Sequence, residues 1–240
     1  MSLFSQTSNL VKREILLEQR QKYAVYGVLL YVISTVFVCK FSFLGKVDFH
    51  SLHSPTFVAK FPVVANVMVT TWNALFWIIL LFASVTGAAR SFSQESRGKL
   101  LYLYTLADPR AVFLAKLIYN ILLMVLIGLV GLAVYSFFIG YPVVDNQLFF
   151  ETLLLGSIGL ASAFTMISAI ASKAGNNFTL MSILGFPVVL PLLMLTILIS
   201  GHAVDGLMWL DKAKYLGALG LFNLMIMGMA YLLFPYLWRD

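Results

Sequence analysis

The chain has 240 residues, 61% of them hydrophobic and 11% charged, with a formal net charge of +6 and a mean hydropathy of +0.93. A soluble domain is about a quarter charged, so most of this chain must face lipid or other buried helices, and a soluble globular domain is excluded. The positive balance calls for no nucleic acid, because basic residues gather beside apolar segments and neither a long basic run nor a base-stacking motif is present.

Residues 1–22 lack the uninterrupted apolar core and small-residue cleavage site of a signal peptide and carry Lys12, Arg13, Glu14, Glu18, Arg20 and Lys22. Glu18 and Lys22 stand at i,i+4 and support a helix. Leu10, Val11, Ile15, Leu16 and Leu17 make no clean single face, so the segment reads as an interfacial elbow or as a solvated helix.

Six apolar blocks follow, at about 23–43, 63–89, 117–139, 152–172, 179–200 and 215–237. A helix of about 20 residues crosses a hydrocarbon core about 30 Å thick, and each block is that long or longer. The second is the longest and should tilt or extend beyond the lipid. Strand-like alternation is absent, which argues against a barrel. The expected fold is all-α, a polytopic membrane protein with an elbow at 1–22 and a six-helix transmembrane domain at 23–240. Cys39 closes the first block, and a single thiol there is best read as a packing residue.

Loop charge sets the orientation. With the N-terminus inside, Lys12, Arg13, Arg20, Lys22, Arg90, Arg97, Lys99, Arg110, Lys116, Lys173 and Arg239 lie on the inner side. Lys40, Lys46, Lys60, Lys212 and Lys214 lie on the outer side, so every arginine is inside and both termini are expected in the cytoplasm.

The only long charged stretch between two apolar blocks is 90–116, RSFSQESRGKLLYLYTLADPRAVFLAK. Ser91 with Gln94 forms a capping-box pattern, and Pro109 is expected to stop any helix formed by 100–106. The segment is either an ordinary positive-inside loop or the cytoplasmic coupling helix of a permease docked on a separate ATPase.

Apart from Lys40, Lys116 and Glu151 near block ends, no block interior contains Asp, Glu, Lys, Arg or His. A proton- or sodium-coupled carrier needs such a group to bind its ion, so secondary transport is disfavoured. Neither HExxH nor a paired-acid pattern appears, which weighs against an intramembrane protease or a metal enzyme, and Gly98-Lys99 has no upstream P-loop glycine, so the energy for any transport is not expected from this chain. Any ATP-driven work needs a partner subunit.

The fourth block is rich in small residues, among them Gly156, Ser157, Gly159, Ala161, Ser162 and Ala163, which let helix backbones approach closely. The fifth contains Pro187 and Pro191 one turn apart, which predicts a kink with carbonyls exposed inside the bundle. Such a kink serves either packing or gating.

Two of these stretches resemble the heme exporter protein B family (CcmB), the permease of the cytochrome c maturation system. The first is Phe92-x-x-Glu95-x-x-Gly98, the leucine-rich run to Pro109, and Val112-Phe113-Leu114-Ala115-Lys116. The second runs from Leu153-Leu154-Leu155-Gly156 to Ser182-Ile183-Leu184-Gly185-Phe186-Pro187-Val188-Val189-Leu190-Pro191-Leu192-Leu193. The resemblance covers about residues 10 to 237, and the double-proline segment is its more specific part.

The resemblance implies an ABC-2-type permease in a bacterial inner membrane, itself no enzyme, acting with a CcmA-like ATPase that holds the ATP. A CcmC-like heme-handling protein, a CcmD-like small subunit and a CcmE-like heme chaperone complete the implied partners. Heme enters as substrate, either exported or released on the loaded chaperone, and not as a resident cofactor. Phe92, Glu95, Gly98, Leu101 and Pro109 would take the coupling role, with Pro187 and Pro191 permitting helix movement. Heme also directs attention to His50, His53 and His202 in the outer loops as axial ligands, although loop histidines are ordinarily just solvated. An ABC-2 permease exporting a lipid, drug or glycan is the alternative function, and a membrane scaffold without transport is a third.

Overall fold

A computed structural model describes residues 3–20, 23–43, 62–93, 108–173, 178–205 and 209–237. Among these residues the chain forms seven helices and no strand: α1 (Leu3–Arg20), α2 (Tyr23–Phe43), α3 (Pro62–Ser93), α4 (Pro109–Ile139), α5 (Asn146–Lys173), α6 (Phe178–Asp205) and α7 (Trp209–Leu237). Helices are the expected answer for such apolar runs, because each satisfies its own backbone without water. The protein is an all-α membrane protein. Five helices contain apolar stretches long enough to cross a bilayer, Val69–Gly87, Pro109–Ile139, Asn146–Ser172, Ile183–Val204 and Lys212–Pro235, and α2 adds the shorter Val25–Phe41. The six blocks read from hydropathy fall on α2 to α7 in order.

Helix ends depart from the hydropathy boundaries, and each departure has a local cause. α4 begins two turns before the apolar block at 117. Asp108, extended at φ −60° and ψ 130°, accepts the Arg110 amide at 2.9 Å through its carboxylate, and Pro109 occupies the first helical position. A proline there loses no helical hydrogen bond, so Pro109 starts α4, while the stretch 100–106 that it was expected to stop lies outside the described residues. Ser91 is no cap either, since α3 runs on through Ser93. α4 ends at Gly140, whose φ of 111° favours glycine, and the Gly140 amide donates to the Ser136 carbonyl at 2.9 Å. Asp145 then caps α5, accepting the Leu148 amide at 3.1 Å.

α5 is the axis of the bundle. It packs against α3, α4, α6 and α7. Within the Asn146–Ser172 span, 78% of an 18-residue apolar stretch is buried inside the protein, against 22% of such a stretch in the Lys212–Pro235 span of α7. Small residues make this central position possible. A Cβ added to Gly156 would lie 2.5 Å from Cη2 of Trp77 and 3.0 Å from Cγ2 of Thr196. One added to Gly159 would lie 2.4 Å from Oδ1 of Asn223 and 2.7 Å from Cδ1 of Leu192. Any larger residue at either place requires these neighbouring side chains on α3, α6 or α7 to shift.

Three buried hydroxyls of α5 are turned back on their own helix. Thr152, Ser162 and Thr165 donate to the carbonyls of Leu148, Ile158 and Ala161, four residues back, at 2.7, 2.7 and 2.6 Å. A hydroxyl satisfied this way can be buried without an unpaired polar group.

Gly156→Val should therefore lower stability by roughly 1–3 kcal/mol, the usual effect of overpacking. The check is the unfolding midpoint of the purified protein in mild detergent, with Trp77→Leu expected to recover part of the loss. An unchanged midpoint in Gly156→Val would contradict the close approach of α3.

Candidate transmission site

The coupling residues suggested by the sequence divide at the edge of the described structure. Phe92 lies in the last turn of α3, but its side chain falls outside the described residues, as do Glu95, Gly98 and Leu101. Pro109 is placed at the head of α4. What surrounds that head is on view.

Three elements converge on it. From α1, Oε1 of Gln6 accepts the Asp108 amide at 3.4 Å. Two turns further along each helix, Glu14 Oε1 lies 3.4 Å from Lys116 Nζ, whose side chain is 1% exposed. Arg13 flanks the same carboxylate at 3.6 Å. An ammonium group buried in this way is costly unless a charge and hydrogen-bond acceptors meet it, so Glu14 fixes α1 on α4. From α7, the Phe234 ring packs on Phe113 with centroids 4.7 Å apart, and Tyr231 lies under the Arg110 guanidinium at 5.6 Å. From α5, the Thr165 hydroxyl oxygen accepts from Asn120 Nδ2 at 2.8 Å, one turn beyond Lys116. The first three turns of α4 are thus in contact with α1, α5 and α7.

Sequence reasoning treated Lys116 as a basic residue opening a span and Glu14 as one charge among several near the N-terminus. Nothing in local spacing pairs residues so far apart. The available signal was the position of Lys116 inside an apolar run, where a lysine needs a partner.

A second polar cluster joins α3 to α6 deeper in the bundle. Trp77 Nε1 donates to Ser200 Oγ at 2.8 Å, and Asn73 Nδ2 donates to the Ile197 carbonyl at 2.8 Å. Ser200 Oγ lies within reach of three acceptors, Asn73 Oδ1 at 2.8 Å, the Thr196 carbonyl at 2.6 Å and the Ile197 carbonyl at 3.2 Å. Its single proton serves one at a time. Tyr135 of α4 donates to the Trp72 carbonyl at 3.0 Å, and Trp72 Nε1 to the Gly140 carbonyl at 3.1 Å. Asn223 of α7 reaches the Leu155 carbonyl of α5 at 2.8 Å. The indole that donates to Ser200 is the one seated against Gly156, so close packing and polar bridging coincide.

α6 is a continuous helix through Pro187 and Pro191. Both prolines lie on its exposed face. The carbonyls they free belong to Ile183 and Pro187, on the same face four residues back, and not inside the bundle as the sequence suggested. α6 is therefore weakest on its outer side and held on its inner side by Leu192, Thr196 and Ser200.

At the opposite end of the bundle, Lys212 forms an ion pair with Asp145, and the Asp145 amide donates to the Ala203 carbonyl at 2.7 Å. The starts of α5 and α7 and the end of α6 are tied together there. His202 is half-buried and stacks on Tyr215 with centroids 5.2 Å apart. His50 and His53 lie outside the described residues. Among the described residues, no cluster of three or more His, Cys, Asp or Glu side chains is placed to hold a metal ion.

The α1–α4 contact has a distinctive energetic signature. Glu14→Gln removes the carboxylate charge 3.4 Å from the buried Lys116 ammonium and should lower stability by roughly 1–3 kcal/mol. The double change Glu14→Gln with Lys116→Met should recover much of that, read as unfolding midpoints in one detergent. Equal midpoints for Glu14→Gln and the parent would exclude a structural role for the pair.

Among family models, the one described as CcmB protein matches residues 62–232, from the first residue of α3 into the last turns of α7. No curated protein matches the chain.

Proposed function

The chain belongs to the CcmB family, and from that premise we propose that it is the membrane permease subunit of an ATP-driven complex in c-type cytochrome maturation. In this reading it lies in a bacterial inner membrane with six spans, α2 to α7, and both termini in the cytoplasm. α1 serves as the elbow. The excess of Lys and Arg, with every arginine on one side of that topology, supports the orientation. A CcmA-like ATPase supplies the energy, because the sequence holds no phosphate-binding loop. A CcmC-like protein, a CcmD-like small subunit and a CcmE-like chaperone handle the heme.

The family match carries the function, and the anchoring of the α4 head supplies a physical route. Phe92, Glu95, Gly98 and Leu101 take the docking role between the end of α3 and Pro109. Closure of the ATPase displaces that connection, and α4 carries the displacement because its cap and its first turns are fixed. α1 and the end of α7 move with it through Lys116 and Phe113. α5 is engaged through Asn120, and α6 yields on the face where Pro187 and Pro191 remove two hydrogen bonds. The outcome is export of heme, or release of the heme-loaded chaperone, on the other side.

Phe92→Ala combined with Glu95→Ala tests this reading. Assembly of c-type cytochromes, measured as heme-stained protein, should fall to nearly the level of cells lacking the chain, while its amount in the membrane stays the same. Normal cytochrome assembly at normal membrane level would count against the docking role. Loss of the chain from the membrane is separated from loss of coupling by the Gly156→Val variant, which perturbs packing without touching the connection.

A further inference from the structure

A cavity of about 260 Å³ lies between α2, α3 and α6 and reaches the central helix. Its floor is Phe164 of α5, and Val189 of α6 stands beside it; both are buried. Phe82 of α3 and Phe186 and Leu190 of α6 form an exposed rim. The α3 and α6 walls fall within the spans Val69–Gly87 and Ile183–Val204, and Tyr31 belongs to the apolar stretch Val25–Phe41. The groove therefore opens sideways at the depth of the hydrocarbon.

Its lining decides what can enter. Thr86 is turned away from use as a donor, with its hydroxyl 2.9 Å from the Ala83 carbonyl and 3.0 Å from the Phe82 carbonyl. Among the described residues lining the groove there is no charged side chain, histidine, cysteine or methionine. Heme fits poorly, since its propionates seek cations and no described residue lining the groove supplies one. Water fits poorly as well, because a bound water needs two to four polar partners, and apolar cavities stay dry. A closed apolar cavity of about 150 Å³ already admits benzene. This larger, laterally open one suits a flexible hydrocarbon, and the bilayer presents hydrocarbon at the rim.

We propose that the groove is a resident site for one acyl chain of a bilayer phospholipid, inserted between α2, α3 and α6 down to Phe164. The site also touches the part of α6 most able to bend, since the wall from Gly185 to Leu193 spans both prolines. A seated chain fills the space into which that segment would otherwise collapse. The inference goes beyond the functional reading above and does not depend on it.

The test uses the full chain in membranes doped with a phospholipid bearing a photoreactive diazirine near the end of its acyl chain. After irradiation, adducts are mapped by peptide mass spectrometry. Adducts are expected at Phe164 or Val189, which ordinary surface lipid does not reach, as well as at Phe137 of α4, which is 83% exposed. Leu190→Trp at the rim and Val85→Phe on the α3 wall should each remove the adducts at the floor and leave those at Phe137. The exposed Leu190 position keeps the test valid should the change at Val85 impair folding. Adducts confined to exposed positions, as when a partner helix covers the groove, would overturn the proposal. So would floor adducts that persist undiminished in both variants.

Discussion

The absence of two Cβ atoms organises this bundle. With side chains at 156 and 159, α5 could not hold the Trp77 indole, Leu192 and Asn223 at their observed distances. In a bilayer the lipid tails are as apolar as leucine, so helices do not associate merely to leave solvent. They associate where backbones and flat side chains come close enough for dispersion and hydrogen bonding to add up. The glycine notches let the central helix touch α3, α6 and α7 at one level, and the remaining helices assemble around that contact.

Polar side chains complete what close packing begins. Asn73, Asn120, Asn223 and Ser200 are buried, and each hydrogen-bonds to an element other than its own. Buried amides in hydrocarbon need partners, and here each partner lies on a neighbouring helix, so a sliding or rotated neighbour would break a bond with no water to replace it. The two ends of the bundle repeat the principle with charge. Glu14 and Lys116 hold α1 to α4 at one end, and Asp145 and Lys212 hold the start of α5 to α7 at the other. The result is a stiff inner group with fixed entry points and one helix, α6, weakened along its outer face.

Much of this could be read from the chain alone, and the missed parts share a cause. The six apolar blocks locate α2 to α7 because a bilayer imposes length and composition directly. The small-residue block at 152–172 reads as a closely packed helix, and the structure makes it the central one. Helix ends were less legible: the polar residues that begin α4 and α5 lower local hydropathy, and their caps at Asp108 and Asp145 depend on individual backbone angles. The face carrying Pro187 and Pro191 was also hidden, since nearly every residue around them is apolar and no periodicity separates inside from outside. Long-range pairs such as Glu14 with Lys116 or Trp77 with Ser200 exist only after folding. Of the coupling residues, Phe92 is placed only as backbone in the last turn of α3, and Pro109 is placed as a helix start.

The family assignment and the geometry meet at the head of α4. In the proposed function, force from a partner ATPase arrives through a small contact and has to spread without being lost to side-chain rearrangement. The anchoring of the first three turns of α4 to α1, α5 and α7 meets that requirement. The glycine contact at Gly156 gives the moving parts something fixed to move against. The most direct test is a pair of experimental structures of the chain with its ATPase, one without nucleotide and one with nucleotide bound. The expected result is a common displacement of the α4 head and α1, with Glu14 still at Lys116 and the Trp77 indole unmoved on Gly156. Separation of α1 from α4, or withdrawal of Trp77 from Gly156 as nucleotide binds, would contradict it.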